Sequence, residues 1–431
     1  MKIGFISLGC SKNLVDSEKM MGMLKSGNHE LVHNADEAEA IIINTCGFIN
    51  SAKEEAIQTI FKMAEYKKHN CKRLIVVGCL AQRYKEELEK EIPEIDAVIS
   101  IKEYPHLHEI LAQLLDGKDL VSYNKCERLV SSKPWTAYLK IAEGCDKHCT
   151  YCIIPKIRGN FRSVPMERLI KEAKELAEQG VKELILVAQE TTLYGKDLYG
   201  EKCLHRLVEE LCKIAGIRWI RILYCYPEEI TDELIEVIKK EPKVCHYLDL
   251  PIQHASDSIL KRMGRRTSKQ ELTDIVKKLR KEIPDICLRT TLITGFPGET
   301  EDQHEELMQF VDEMEFDRLG VFTYSPEEDT PAAVMPDQIA EEVKEERQAD
   351  LMELQQEIAF DNAENMIGRE MLVMIEGKVA DENAYVGRTY RDAPNVDGLI
   401  FINTEEELIS GDFAKVKITG ALEYDLIGEL L

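Results

Sequence analysis

The chain lacks any long apolar run. Its longest stretches, AIIIN at 40–44 and LIVVGCLA at 74–81, fall far short of the roughly 18 residues that a membrane-spanning helix needs. The apolar stretch at the N-terminus is short and has no basic region of the kind that opens a secretory signal, so a cytoplasmic protein with no membrane partner is expected. Positive charge is also scarce. Fifty-five Lys and Arg against 79 Asp and Glu give a net charge of −24, which excludes broad attraction to nucleic acid while leaving room for a local basic site. Cysteine, by contrast, is plentiful. Without export, 13 cysteines do not make a disulfide framework, because the cytosol keeps thiols reduced and a chain of 431 residues buries enough surface to stabilise itself. Some are expected to bind metal or to react.

The chain divides by its rhythm. From residue 2 to about 120, KIGFISLG, AEAIIINT, RLIVVG and DAVIS alternate with helical stretches, including a polar one from about Asp16 and SAKEEAIQTIFKMAEYKK. That spacing predicts a parallel sheet with helices on its faces. The polar stretch 121–134 ends in proline and reads as a linker. A second alternation over 135–336 has six strand-helix units, from TAYLK through ELILV, WIRIL, HYLDL and ICLRTTLIT to RLGVFTYS. This is a partial (β/α)6 barrel, which places functional groups at the C-terminal ends of its strands. Residues 337–365 form a connecting helix, and 366–431 turn to five short strands between glycine and aspartate turns, a small all-β barrel of the oligonucleotide-binding type. The fold class is α/β with an all-β C-terminal domain.

Directly after the first strand of the central segment stands EGCDKHCTYC, with Cys145, Cys149 and Cys152 as CxxxCxxC. Three thiolates on one loop bind three irons of a cubane cluster and leave the fourth open for chemistry. Zinc is the alternative, although it favours four ligands in paired spacing, and His148, next to Cys149, is poorly placed as a fourth. In the first segment three strands run into cysteine: FISLGC at Cys10, IIINTC at Cys46 and LIVVGC at Cys79. Singly, each reads as a small buried residue. Strand ends of a parallel sheet share one edge, however, so the three sulfurs, 36 and 33 residues apart, come together as a second ligand set. Cys71, Cys126, Cys203, Cys212, Cys225, Cys245 and Cys287 share no such placement and read as structural.

CDKHCTYC after the first strand of a partial parallel barrel resembles the radical S-adenosylmethionine superfamily, with Tyr151 at its common aromatic position. With the second cysteine set and the C-terminal barrel, the whole chain resembles the methylthiotransferases, whose last domain is a TRAM domain. The resemblance implies two 4Fe-4S clusters and S-adenosylmethionine as cofactors. One S-adenosylmethionine supplies a methyl group to sulfur at the N-terminal cluster, and a second yields a 5′-deoxyadenosyl radical that activates a substrate C–H bond. It also implies that Tyr151, Gln189, Glu190 and Gly295 line the S-adenosylmethionine pocket, with Gln253, His254 and Gly298 nearby; ordinary strand-end hydrogen bonding is the competing reading for each. The basic run KRMGRR at 261–266 reads as a solvated helix end.

LGCSKNLVDSE, NTCGFINSAKEEAI, GCDKHCTYCIIPKIRG and LPIQHASD resemble the branch of the family that modifies the β-carbon of an aspartate in small-subunit ribosomal protein S-twelve. The branch that modifies adenosine of transfer RNA typically has GCQMN at the first of these. Residues 366–431 agree on independent grounds, with six Lys and Arg against thirteen Asp and Glu, whereas a barrel that holds transfer RNA should be locally basic. Expected partners are the S-twelve protein, met free or on the ribosome, and an electron donor such as flavodoxin or ferredoxin, with no direct transfer RNA binding. The competing readings are a transfer RNA adenosine methylthiotransferase and a non-catalytic iron-sulfur sensor.

Overall fold

A computed structural model describes residues 1–115, 119–380 and 382–431; positions 116–118, just before the expected boundary near 120, lie outside the described residues. Five parallel strands open the chain: β1 (Lys2–Ser7), β2 (Glu30–Val32), β3 (Ala40–Thr45), β4 (Arg73–Gly78) and β5 (Ala97–Ile99). Their order is β2-β1-β3-β4-β5. Helices α1 (Ser11–Ser26), α2 (Asn50–Ala64), α3 (Cys79–Arg83), α4 (Lys85–Glu91) and α5 (Leu107–Leu114) connect and cover them. All six residues of the central strand β3 are buried, which is why it reads as an unbroken apolar run. Alternate residues serve the two faces: Ile42 packs with Met20 and Leu24 of α1, while Ile41 and Ile43 pack with Ala56 and Ile60 of α2. The three-residue edge strand β2 is too short to leave a periodic signal.

In the central segment β6 (Thr136–Lys140) is followed by a short hairpin, β7 (Ala142–Glu143) with β8 (Arg162–Ser163), and then by β9 (Glu183–Val187), β10 (Trp219–Ile222), β11 (Val244–Asp249), β12 (Cys287–Thr294) and β13 (Arg318–Thr323). The main sheet runs β13-β12-β11-β10-β9-β6, with every pairing parallel. Each crossover steps to the next neighbour, as in a parallel barrel that stops before closing. The helix Glu341–Glu364 lies along the edge strand β13, where Gln348 donates to the Val321 carbonyl at 2.6 Å and Lys344 to that of Tyr324 at 2.9 Å. An exposed edge is thereby covered.

The last five strands, β14 (Glu370–Lys378), β15 (Ala384–Arg388), β16 (Ile400–Asn403), β17 (Phe413–Ala421) and β18 (Leu426–Leu430), close into a barrel in the order β14-β15-β16-β18-β17. Met374 and Ala393 of this barrel pack with Ile185, Trp219 and Tyr247 of the central sheet. Arg388 donates to Glu183 at 2.6 Å and to Glu376 at 2.7 Å, and Arg221 donates to Glu183 at 3.0 Å, all buried. The two barrels are thus held together by a paired ionic core.

Helix α1 begins at Ser11, earlier than the expected start near Asp16, because Cys10 is its N-cap residue and accepts from the Leu14 N–H at 3.0 Å. Its polar residues Lys12, Asn13, Asp16, Ser17 and Glu18 are buried. Asp16 and Glu18 face β6 and its neighbours, where Lys140 and Arg158 meet Asp16 and Arg128 meets Glu18, while Asn13 and Ser17 bond to the ends of β1 and β3. A helix that reads as polar is therefore the seam between the first two domains.

Candidate metal centres at the domain junction

Cys10, Cys46 and Cys79 follow the ends of β1, β3 and β4, which are neighbours in the sheet. Thr45 and Gly78 are in register, so Cys46 and Cys79 stand side by side. The segment carrying Cys10 is drawn onto Cys46 through Gly9. At φ +85° a Cβ on Gly9 would lie 2.6 Å from the Cys46 Cβ and 3.0 Å from its Sγ, so only glycine fits. Asn13 stitches the two strand ends by donating to the carbonyls of Leu8 at 3.1 Å and Thr45 at 3.0 Å. Cys46 and Cys79 are buried and Cys10 is exposed. Burial raises the Cys46 thiol and pushes Cys79 up to about 11. For Cys10 the protein packed around the loop also acts upward, but Lys12, Arg158 and backbone N–H groups outweigh it and the pKa is lowered.

The second set lies on the loop between β7 and α6 (Ile154–Arg158). Cys145 donates its N–H to the Gly159 carbonyl at 3.1 Å, and Cys152 donates to that of Cys149 at 3.0 Å. Burial pushes the Cys145 thiol up to about 11 and Cys152 to about 12, and in both cases neighbouring cysteines of the set add to the rise. Thiolate ligands at these positions form with release of protons. His148, at φ +51°, is exposed.

The two sets meet. Cys79 packs against Ile153 and Ile157, next to Cys152 in the chain. Arg158, at the end of α6, donates to the Cys79 Sγ at 3.3 Å, to Asn13, and to Asp16 at 2.8 Å. Lys140 completes the seam by pairing with Asp16 and with Glu143 at 2.7 Å. Among the described residues no group of three or more His, Cys, Asp or Glu stands where it could hold a metal ion.

Gln189 accepts from the Gly144 N–H at 3.0 Å and donates to Glu143 at 3.2 Å, so it fixes the approach to Cys145. Glu190 is fully buried; one oxygen accepts from Thr192, and Oε2 has no hydrogen-bond partner. Burial pushes its pKa up to about 7, against the pull of Thr192 and Lys147. Tyr151 packs edge-on against Phe296 at 6.5 Å between ring centroids. Gly295, at φ +67°, turns away from β12 with Lys344 pressed against its Cα, so its local need for glycine is this packing. His254 is buried, accepts from the Ser256 N–H at 2.9 Å, and is pushed down to about 3 by burial and by His304 and Arg347, so it is neutral. The sequence reading did not single out Tyr226, whose hydroxyl is 3.5 Å from the Cys149 Sγ, or Arg265, which lies over the Tyr226 ring at 4.2 Å. Arg265 belongs to KRMGRR, and it is buried, with Nε and Nη1 unpartnered, not at a solvated helix end. Unpartnered carboxylate and guanidinium atoms beside a three-thiol loop fit a cofactor that carries both an ammonium and a carboxylate.

These features define a radical S-adenosylmethionine protein. Three family profiles match in succession: "Uncharacterized protein family UPF0004" over residues 2–100, "Radical SAM superfamily" over 139–311 and "TRAM domain" over 367–431. A "Ribosomal protein uS12 methylthiotransferase RimO" from Lachnoclostridium phytofermentans is 61% identical over 99% of both chains. Another from Clostridioides difficile is 52% identical over 100% of this chain and 99% of its own. The chain belongs to the RimO methylthiotransferase family. Among solved structures, the radical S-adenosylmethionine methyltransferase TsrM from Kitasatospora setae is similar in fold, with a TM-score of 0.54 at 12% identity over 88% of this chain and 81% of that one. The cobalamin-dependent radical enzyme OxsB has a TM-score of 0.52 at 13% identity over 83% of this chain and 56% of its own. Among the described residues no helix is long and apolar enough to cross a membrane.

Proposed function

We propose that the chain transfers a methylthio group to the β-carbon of an aspartate in ribosomal protein uS12, in the cytoplasm, using two 4Fe-4S clusters and S-adenosylmethionine. The observation that carries this reading is the packing of the loops that carry two three-cysteine sets across one seam, with Arg158 beyond the second set reaching Cys79 of the first, in a chain of this family. Cys10, Cys46 and Cys79 hold one cluster and Cys145, Cys149 and Cys152 the other. Tyr151, Gln189, Glu190 and Gly295 belong to the S-adenosylmethionine pocket. When bound, the cluster at the second set supplies the electron that splits S-adenosylmethionine to a carbon radical able to break an unactivated C–H bond.

The chain's own part is placement. Gln189 and the β7–β8 hairpin orient the Cys145 loop, Glu190 offers to an ammonium a buried oxygen that accepts no hydrogen bond and lies 4.0 Å from the Lys147 ammonium, and the Asp16–Arg158–Lys140 network fixes the two thiol sets relative to each other. The C-terminal barrel suits a basic protein. Its Arg388 and Arg391 are buried in the seam with the central sheet together with its Glu376 and Asp392, so its outer surface keeps the acidic balance of its composition. An electron donor such as flavodoxin or ferredoxin supplies the reducing equivalent, and uS12 is met free or on the ribosome.

The test separates the two stages. Reconstituted protein should hold about eight irons. Cys149→Ala should abolish cleavage of S-adenosylmethionine, whereas Cys46→Ala should leave cleavage and end methylthio transfer. Normal transfer by the Cys46 variant would falsify the two-cluster assignment.

A further inference from the structure

Among the described residues, one lysine at the seam has no carboxylate partner. Lys19, Lys53, Lys140 and Lys147 each pair with a carboxylate: Glu172, Glu327, Asp16 and Glu229 respectively. Lys12 does not. It is only 7% exposed, two residues past Cys10, and its ammonium lies 3.4 Å from the centroid of the Tyr224 ring. Tyr224 follows the C-terminal end of β10 and packs with the cluster that fills the inner side of the central sheet, with Tyr138 and Leu223. Its ring is held there by a strained backbone, at φ +60°, with its N–H bonded to Asp249 at 3.0 Å. A non-glycine residue kept in that conformation marks a position that the surroundings over-determine. The geometry therefore carries a positive charge from the N-terminal domain to the mouth of the partial barrel, beside the first thiol set.

A ring face offsets only part of the cost of burying an ammonium. The acidic neighbours of Lys12 are the Cys10 thiol and the Tyr224 hydroxyl, and among the described residues no carboxylate pairs with it. The substrate proposed above carries a carboxylate next to the carbon that reacts, since the β-carbon of aspartate bears it. We infer that Lys12 binds this carboxylate and so selects an acidic residue at the reacting position, an inference that rests on the uS12 reading. The competing role for Lys12 is to neutralise a cluster at Cys10, and it makes a different prediction because it is blind to the substrate side chain.

The experiment uses reconstituted full-length protein, uS12, and uS12 in which the modified aspartate, located by mass spectrometry, is changed to asparagine. Binding is measured with oxidised protein, which does not turn over, and transfer is measured after reduction. Wild-type protein should prefer the aspartate form by roughly 30-fold or more, the scale of one partner lost from a buried charge pair. Lys12→Met should lose most of that preference in both binding and transfer, while it retains about eight irons and cleavage of S-adenosylmethionine; Lys12→Arg should recover part of it. Undiminished preference for aspartate in Lys12→Met, or a wild-type protein that binds the two forms equally, overturns the assignment of Lys12. A wild-type protein that leaves uS12 unmodified overturns the functional reading itself, and this inference with it.

Discussion

Glu190 shows how one buried oxygen ties cofactor binding to pH. Burial lifts its carboxyl from 4.5 to about 7, although Thr192 and Lys147 favour the charged form. A carboxyl whose folded-state pKa is raised favours the folded state while both states are protonated, and that contribution declines as pH rises from about 4.5 through about 7. In the protein freed of iron, the infrared band of a protonated carboxyl should persist to about pH 7 and be missing from Glu190→Gln. The same variant should bind S-adenosylmethionine at least tenfold more weakly, the loss expected when a charge-assisted hydrogen bond becomes a neutral one. Unchanged affinity would remove Glu190 from the cofactor pocket. Arg265 and Tyr226 belong to the same scale, because their contacts with each other and with Cys149 depend on residues far apart in the chain that meet only in the fold.

Helix α1 is the element on which the architecture turns. Its apolar residues Met20, Met23 and Leu24 pack under the first sheet, and its polar residues pair across the seam. Gly22 lies between these roles. In an ordinary helix interior, changing glycine to alanine stabilises by about 1 kcal/mol. Here a Cβ would run into the carbonyl of Glu127, a backbone atom that cannot rotate away. Gly22→Ala should therefore destabilise by about 1 to 3 kcal/mol, read as a lower urea midpoint, and a stabilised variant would contradict the close approach of α1 and the linker. The element also marks where sequence reading ends. Hydrophobic period found β3 and β4 and placed the cysteines at their ends, because a buried central strand has nothing else to signal. It could not find that Asp16 and Glu18 are buried, because their partners Lys140 and Arg128 lie more than a hundred residues away and a charged residue alone reads as exposed.

At the scale of the whole molecule, three domains meet through buried, paired charges: Asp16 with Lys140 and Arg158 at the C-terminal end of β6, Glu183 with Arg388 and Arg221 at the opposite end of the same sheet face, where β9 begins. Breaking such a pair leaves an uncompensated charge, which is far costlier than replacing the pair as a unit, so the seams hold one arrangement. That Cys10, Cys46 and Cys79 follow strand ends and that Cys145, Cys149 and Cys152 share one loop is legible in the sequence, because apolar runs and a tight spacing repeat a pattern; how the loops pack is not, because it depends on Arg158 reaching Cys79 and Asn13 from another domain. The central claim is that this arrangement serves transfer of a methylthio group to uS12. It is tested most directly by mass spectrometry of uS12 after incubation with the reconstituted protein, S-adenosylmethionine and a reductant. The account predicts a mass gain of one methylthio group on a single aspartate, absent with Cys149→Ala; an unmodified uS12, alone and in intact small subunits, would contradict it.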